Sequence, residues 1–131
     1  MKTGIITKAI LLIGMLFLVL NIQKSIACEI EFEIDGEKKE QYKVGDEVVI
    51  KVKITFTHRV CTVGIKQTKF ESKGVKILTA TDWKETSPGV WERKLKIKIE
   101  EPKKGKVELS ATRTCDKEGG FNSIVLNAKK K

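Results

Sequence analysis

The chain has 131 residues, a length that suits one domain, and a formal net charge of +9 at pH 7. Its only histidine leaves no visible Ser/His/Asp arrangement, and aromatic residues make up only 6%, few for stacking nucleic-acid bases. We therefore expect a protein that is not an enzyme and does not bind nucleic acid.

The amino-terminal residues have the pattern of a secretory signal. Lys2 and Lys8 precede an apolar run at 9–20, and the small residues Ser25 and Ala27 stand where signal peptidase would cut. The run is 12 residues long, against the roughly 20 that span a bilayer. A cleaved signal is therefore favoured over an uncleaved membrane anchor.

This pattern divides the chain into a signal peptide at 1–27 and a mature domain at 28–131. It also predicts an extracytoplasmic location, either periplasmic or secreted. Removing the three lysines of the signal would lower the net charge from +9 to +6, so the mature domain stays basic.

Alternation of apolar and polar residues with a period of two runs through the predicted mature chain. Val48, Ile50, Val52 and Ile54, for example, fall on one face of a strand, and polar residues occupy much of the other face. Glycine, proline and aspartate signals separate such segments. In chain order we predict seven strands, at 29–34, 47–57, 61–67, 74–80, 90–99, 106–115 and 121–127.

Seven short alternating strands predict an all-β, antiparallel β-sandwich. In strand number and spacing, residues 28–127 resemble an immunoglobulin-like β-sandwich of the bacterial extracytoplasmic kind. The resemblance is architectural, because no tryptophan lies in 61–67 and Arg113 stands at the tyrosine-corner position. It implies a rigid scaffold with binding loops and does not by itself name a function.

The resemblance implies that all three cysteines and the histidine lie at one pole of the sandwich. Cys28 would begin the first strand, while His58, Cys61 and Cys115 would lie in or beside two loops at the same end. The third and sixth strands are neighbours in this arrangement, which favours a structural Cys61–Cys115 disulfide. Such a staple would stabilise the domain by ~4 kcal/mol in the chain-entropy model.

Other interpretations of this pole stay open. Cys28, His58, Cys61 and Cys115 offer three sulfurs and one imidazole, a ligand set that suits zinc or copper, whereas a structural disulfide implies no cofactor. A redox-active disulfide is another possibility, in which a nearby histidine or arginine would lower the pKa of a thiol. The last is a disulfide that includes Cys28.

Cys28 also resembles the modified cysteine of bacterial lipoproteins, because it would be the first residue after the cut and follows Ala27. The lipoprotein pattern prefers Leu three residues before the cysteine, where this chain has Ser25. Lipidation of Cys28 would anchor the domain to a membrane.

Lysines on two predicted neighbouring strands point away from the core and form a candidate basic surface. Outward glutamates on the strand at 29–34 can pair with those on 47–57. The surface either protects the sheet from aggregation or attracts an anionic partner, such as lipid head groups. Its members are Lys51, Lys53, Lys94, Lys96 and Lys98.

The sequence thus predicts a non-enzymatic, exported accessory or binding module. Its partner would be a protein of unknown identity or an anionic membrane surface. The alternative is a small metal-binding or thiol-redox protein that uses the cysteine and histidine pole.

Overall fold

A computed structural model describes residues 28–57, 64–114 and 119–130 of the chain, and these residues form nine β-strands and one short 3₁₀ turn. The 3₁₀ turn is Ile65–Gln67, between the third and fourth strands. In chain order the strands are β1 (Cys28–Ile34), β2 (Tyr42–Lys43), β3 (Glu47–Phe56), β4 (Lys69–Lys73), β5 (Val75–Ala80), β6 (Lys84–Ser87), β7 (Val90–Ile99), β8 (Lys106–Arg113) and β9 (Gly120–Lys129).

The strands form two sheets that pack face to face, so the predicted all-β sandwich is confirmed. The first sheet has the order β1-β3-β7-β5, with β6 also paired to β7. The second has the order β2-β9-β8-β4, in which only the short β2–β9 pair is parallel. The predicted neighbours 29–34 with 47–57, and 47–57 with 90–99, are confirmed by the pairs β1–β3 and β3–β7.

One apolar core lies between the two sheets, and the period-two pattern explains it. β-Branched and leucine side chains alternate inward along β3, β7 and β8, where they lose almost all contact with solvent. Each fully buried isoleucine or leucine contributes about 2 kcal/mol relative to exposure. The central members are Ile50, Val52, Ile54, Leu95, Ile97, Ile99, Val107 and Leu109.

The predicted third strand, 61–67, is wrong in its described part. Ile65–Gln67 is a 3₁₀ turn, closed by the Thr68 hydroxyl donating to the Ile65 carbonyl at 2.8 Å, and the strand that pairs with β8 is β4. Ile65 is buried, as its apolar character suggested, but the turn rather than a strand places it inward. Residues 61–63 of the prediction lie outside the described residues.

The last strand, β9, is longer than the predicted 121–127 and extends to the end of the second sheet. β9 continues to Lys129 because Tyr42 and Lys43 of β2 pair with Ala128 and Lys129. The Val44 amide donates to the Lys129 carbonyl at 3.3 Å and continues the pairing.

In the described part of the chain, no helix is long and apolar enough to cross a membrane.

Candidate functional site

One end of the sandwich, which we call the loop pole, is where the cysteine and histidine prediction falls. We define it by Cys28, Phe56, the segment 64–68, Arg113 and Gly120. Cys28 pairs with Phe56 in the first sheet, and Arg113 pairs with Gly120 in the second. The two sheets meet here because Arg113 also contacts Phe56.

Arg113 is the central side chain of the loop pole and is only 1% exposed. Its Nη1 donates to the carbonyls of Gly64 and Ile65 at 3.2 and 3.3 Å, and to Thr68 Oγ1 at 2.7 Å. Its guanidinium carbon lies 4.8 Å from the centre of the Phe56 ring, a cation–π distance. The side chain therefore ties β8 both to the segment 64–68 and to the end of β3.

Cys28 lies at the start of β1 beneath the first residue of β9. It is 1% exposed, and its thiol is not in a disulfide. A β-carbon at position 120 would come within 2.5 Å of the Cys28 carbonyl oxygen and 3.1 Å of its Cβ, so this crossing needs Gly120. A lipid on the Cys28 sulfur would require the side chain to leave this contact. Lipidation of Cys28 stays a prediction.

The other predicted members of this site, His58, Cys61 and Cys115, lie outside the described residues. The Cys61–Cys115 disulfide and the zinc or copper site therefore stay predictions. Within the ranges that the structure describes, no group of three or more His, Cys, Asp or Glu side chains could hold a metal ion.

The predicted basic surface lies on the outer face of the first sheet, where carboxylates accompany the lysines. Lys51 and Lys53 of β3 pair with Glu33 and Glu31 of β1 at 3.3 and 3.5 Å, as the sequence predicted. The lysines of β7 also find acids: Lys94 lies 2.7 Å from Asp35, and Lys96 lies 3.1 Å from Glu47.

Four of the five predicted lysines therefore lie in ion pairs, and this face carries rows of mixed charge.

Two of these ion pairs also shift the pKa of one of their members. A hydrogen bond from Lys94 and its positive charge lower the pKa of Asp35. A hydrogen bond to Glu33 and the negative charge of that group raise the pKa of Lys51, and Glu92 adds to the effect.

The outer face of the second sheet carries an exposed apolar surface that the sequence did not reveal. Phe121 is 66% exposed and Val125 is 50% exposed, both on β9. Ser123 lies between them, and the residues opposite on β8 are Thr112, Ser110 and Glu108. We call these six residues the β9 face. The sequence pattern did not show which face of β9 is exposed, because apolar residues occur on both faces of this strand. Ile124 and Leu126 point inward, whereas Phe121 and Val125 point outward.

Comparison with known proteins adds no family assignment. No protein-family model matches the chain. No curated protein matches it either.

Replacing Arg113 by Met should lower the free energy of unfolding by about 2–4 kcal/mol, because buried carbonyls of the segment 64–68 lose their donor. Thr68→Val should cost about 1 kcal/mol. Since the two side chains share a hydrogen bond, the double variant should lose about 1 kcal/mol less than the sum of the single losses. Urea unfolding of the four proteins measures this coupling.

Arg93→Met is the matched control for this cycle, because Arg93 donates instead to the Thr81 carbonyl on the first sheet. The losses of unfolding free energy caused by Arg93→Met and by Thr68→Val should be additive in the double variant. Additive losses for Arg113→Met and Thr68→Val would contradict the contact between these residues.

Replacing Lys94 by Gln should raise the pKa of Asp35 toward its ordinary value of 3.8, because the hydrogen bond and the charge that lower it are both removed. The stabilisation from this pair is present above the unfolded-state pKa and is lost as pH falls through the lower folded-state pKa. Carboxyl chemical shifts of Asp35, followed by NMR from acid to neutral pH, measure the change. Lys98→Gln removes the same charge without touching Asp35 and should leave this pKa nearly unchanged; equal shifts in both variants would rule out the direct pair.

Proposed function

We propose that this protein is an exported, non-enzymatic binding module that holds a protein partner on its β9 face. The observation that carries the proposal is the exposure of Phe121, together with that of Val125 on the same face. They are four positions apart along the strand, which places them about 13 Å from each other on one side of the sheet.

The chemistry of the β9 face suits a protein interface. Aromatic side chains that leave water are common anchors of protein interfaces, and an exposed phenylalanine gains most from such burial. Ser123 and Thr112 are small neighbours of Phe121 that let a partner approach closely, and Glu108 opposite Val125 adds a polar edge to the face. An isolated exposed apolar residue is ordinary, but two that share a face with small neighbours favour a binding surface.

Other features of the chain support the location and the scaffold in this proposal. The amino-terminal segment 1–27 has the pattern of a secretory signal. The strand order of the two sheets agrees with an immunoglobulin-like arrangement, in which a rigid sandwich carries its binding residues on sheet faces and loops. A Cys61–Cys115 disulfide would stabilise the same scaffold outside the cytoplasm.

A photoreactive phenylalanine analogue at position 121 should cross-link one discrete partner when the protein is expressed in its own cells. Mass spectrometry of the product would identify the partner, including a second copy of this chain. Val125→Asp should reduce the cross-link at least about fivefold, because it puts a charge into the apolar contact. It should lower the free energy of unfolding by about 1–2 kcal/mol, because aspartate is a poor strand residue and would lie opposite Glu108, and this loss leaves the domain folded.

The same analogue at position 78 is the control, because Leu78 is exposed on the first sheet rather than on the β9 face. It should give no discrete product. If both positions give the same products, or if position 121 gives none, the β9 face is not the binding surface.

A further inference from the structure

The end of the second sheet opposite the loop pole carries a cluster of lysines that come from distant parts of the chain. We call this cluster the basic pole. All seven side chains are exposed. They are Lys43, Lys73, Lys103, Lys104, Lys106, Lys129 and Lys130.

A tight hairpin forms the tip of the basic pole. The amide of Lys103 donates to the carbonyl of Lys106 at 3.0 Å, and the amide of Lys106 donates back at 3.1 Å. The two residues between them have positive φ angles, 52° at Lys104 and 74° at Gly105, as a two-residue turn of the I′ type requires. Asparagine or glycine usually occupies the first of these positions, so a lysine there places a charge at the tip against the local backbone preference.

Backbone contacts bring the other lysines to this hairpin. The amide of Ala128 donates to the Gly105 carbonyl at 2.9 Å, which places the end of β9 beside the turn. Lys129 in turn pairs with Lys43 of β2. On the other side, Lys73 lines a cleft together with Lys103 and Lys106.

The basic pole differs from the predicted basic surface in its balance of charge. Among the described residues, no carboxylate lies within 4.0 Å of any of its seven ammonium groups, whereas Lys51, Lys53, Lys94 and Lys96 all have such partners. Glu101 and Glu108 line the cleft but are outnumbered. The basic pole therefore carries a local excess of positive charge.

We propose that the basic pole docks the sandwich onto an anionic membrane surface. Clusters of four to eight basic residues are typical of segments that bind acidic lipid head groups. Lysine is a compact, strongly hydrated charge that suits diffuse attraction, whereas bidentate recognition of individual phosphates favours arginine, which the basic pole lacks. The charges project from a turn, a strand end and a cleft rim, so they can meet a broad surface together.

This docking would orient the proposed binding module. β8 and β9 each have one end at the basic pole and the other at the loop pole. With the basic pole on the membrane, the loop pole and Phe121 would face away from the lipid toward a partner. This orientation excludes a lipid anchor on Cys28, which lies at the loop pole. Val125 of the β9 face also lines the cleft of the basic pole, so the membrane test uses only lysine variants and vesicles, and the partner test is read at Phe121.

Co-sedimentation with lipid vesicles tests the proposal. The protein purified after processing in its own cells should bind vesicles that contain about 30% phosphatidylglycerol in phosphatidylcholine and should not bind phosphatidylcholine alone. The triple variant Lys103→Gln, Lys104→Gln, Lys106→Gln should lower the partition coefficient by about a hundredfold, since each lysine near an anionic surface is worth about a factor of five. Raising the salt concentration to about 0.5 M should weaken the binding of the unchanged protein, because the attraction is screened.

The triple variant Lys94→Gln, Lys96→Gln, Lys98→Gln is the control, because it removes the same formal charge from the outer face of the first sheet. Its partition coefficient should stay within about threefold of that of the unchanged protein, because carboxylates mostly neutralise the lysines that this variant replaces. Equal losses in the two triple variants would overturn the proposal, since net charge alone would then explain binding.

Two further results would also overturn it. One is failure of the unchanged protein to bind anionic vesicles. The other is complete inhibition by inorganic phosphate beyond that of sodium chloride at the same ionic strength, which would identify a phosphate site instead of a membrane-docking surface. Circular dichroism should show the same β-sheet spectrum for both variants, because all six lysines are exposed or half-buried at most.

Discussion

The antiparallel register of β3 with β7 determines most of what this sandwich presents. Nine residue pairs join the two strands, and Ile50 lies opposite Leu95 while Lys51 lies opposite Lys94. Because side chains alternate with a period of two, this register sends the apolar residues of both strands into the core and their lysines outward. A slip of one residue in either strand would place charges between the sheets, where an unpaired charge costs several kcal/mol.

The register also explains why the two lysine-rich regions differ. On the outer face of the first sheet, β1 runs beside β3 and supplies Glu31, Glu33 and, just beyond its end, Asp35. These carboxylates neutralise the repulsion between lysines that the β3–β7 pairing brings together. At the basic pole the lysines come mostly from turns and strand ends, and among the described residues strand pairing places one acid opposite them, Glu108 opposite Lys73. One sheet face is thus charged but nearly balanced, while one pole keeps its excess charge.

The sequence predicts a strand correctly where that strand alternates apolar and polar residues along its own length. β1, β3, β7 and β8 alternate apolar and polar residues, and the sequence predicted all four nearly within their bounds. β6 is exposed at every position, so it offers no hydrophobic period to find. The alternation of Cys61, Val63 and Ile65 suggested a third strand, yet the described part is a 3₁₀ turn held by Thr68 and Arg113. The role of Arg113 depends on contacts across 45 or more residues of sequence, and the basic pole depends on strand ends meeting, so neither is visible in any local pattern.

The β3–β7 register, on which the core and the charge rows both depend, can be measured directly. Interstrand nuclear Overhauser contacts between backbone protons, recorded on uniformly labelled protein, report which residues lie opposite each other. The β3–β7 register predicts contacts between Lys51 and Lys94, and between Ile50 and Leu95. Contacts that instead pair Lys51 with Leu95 would contradict it, because that register would invert one strand and remove both the shared core and the charge rows.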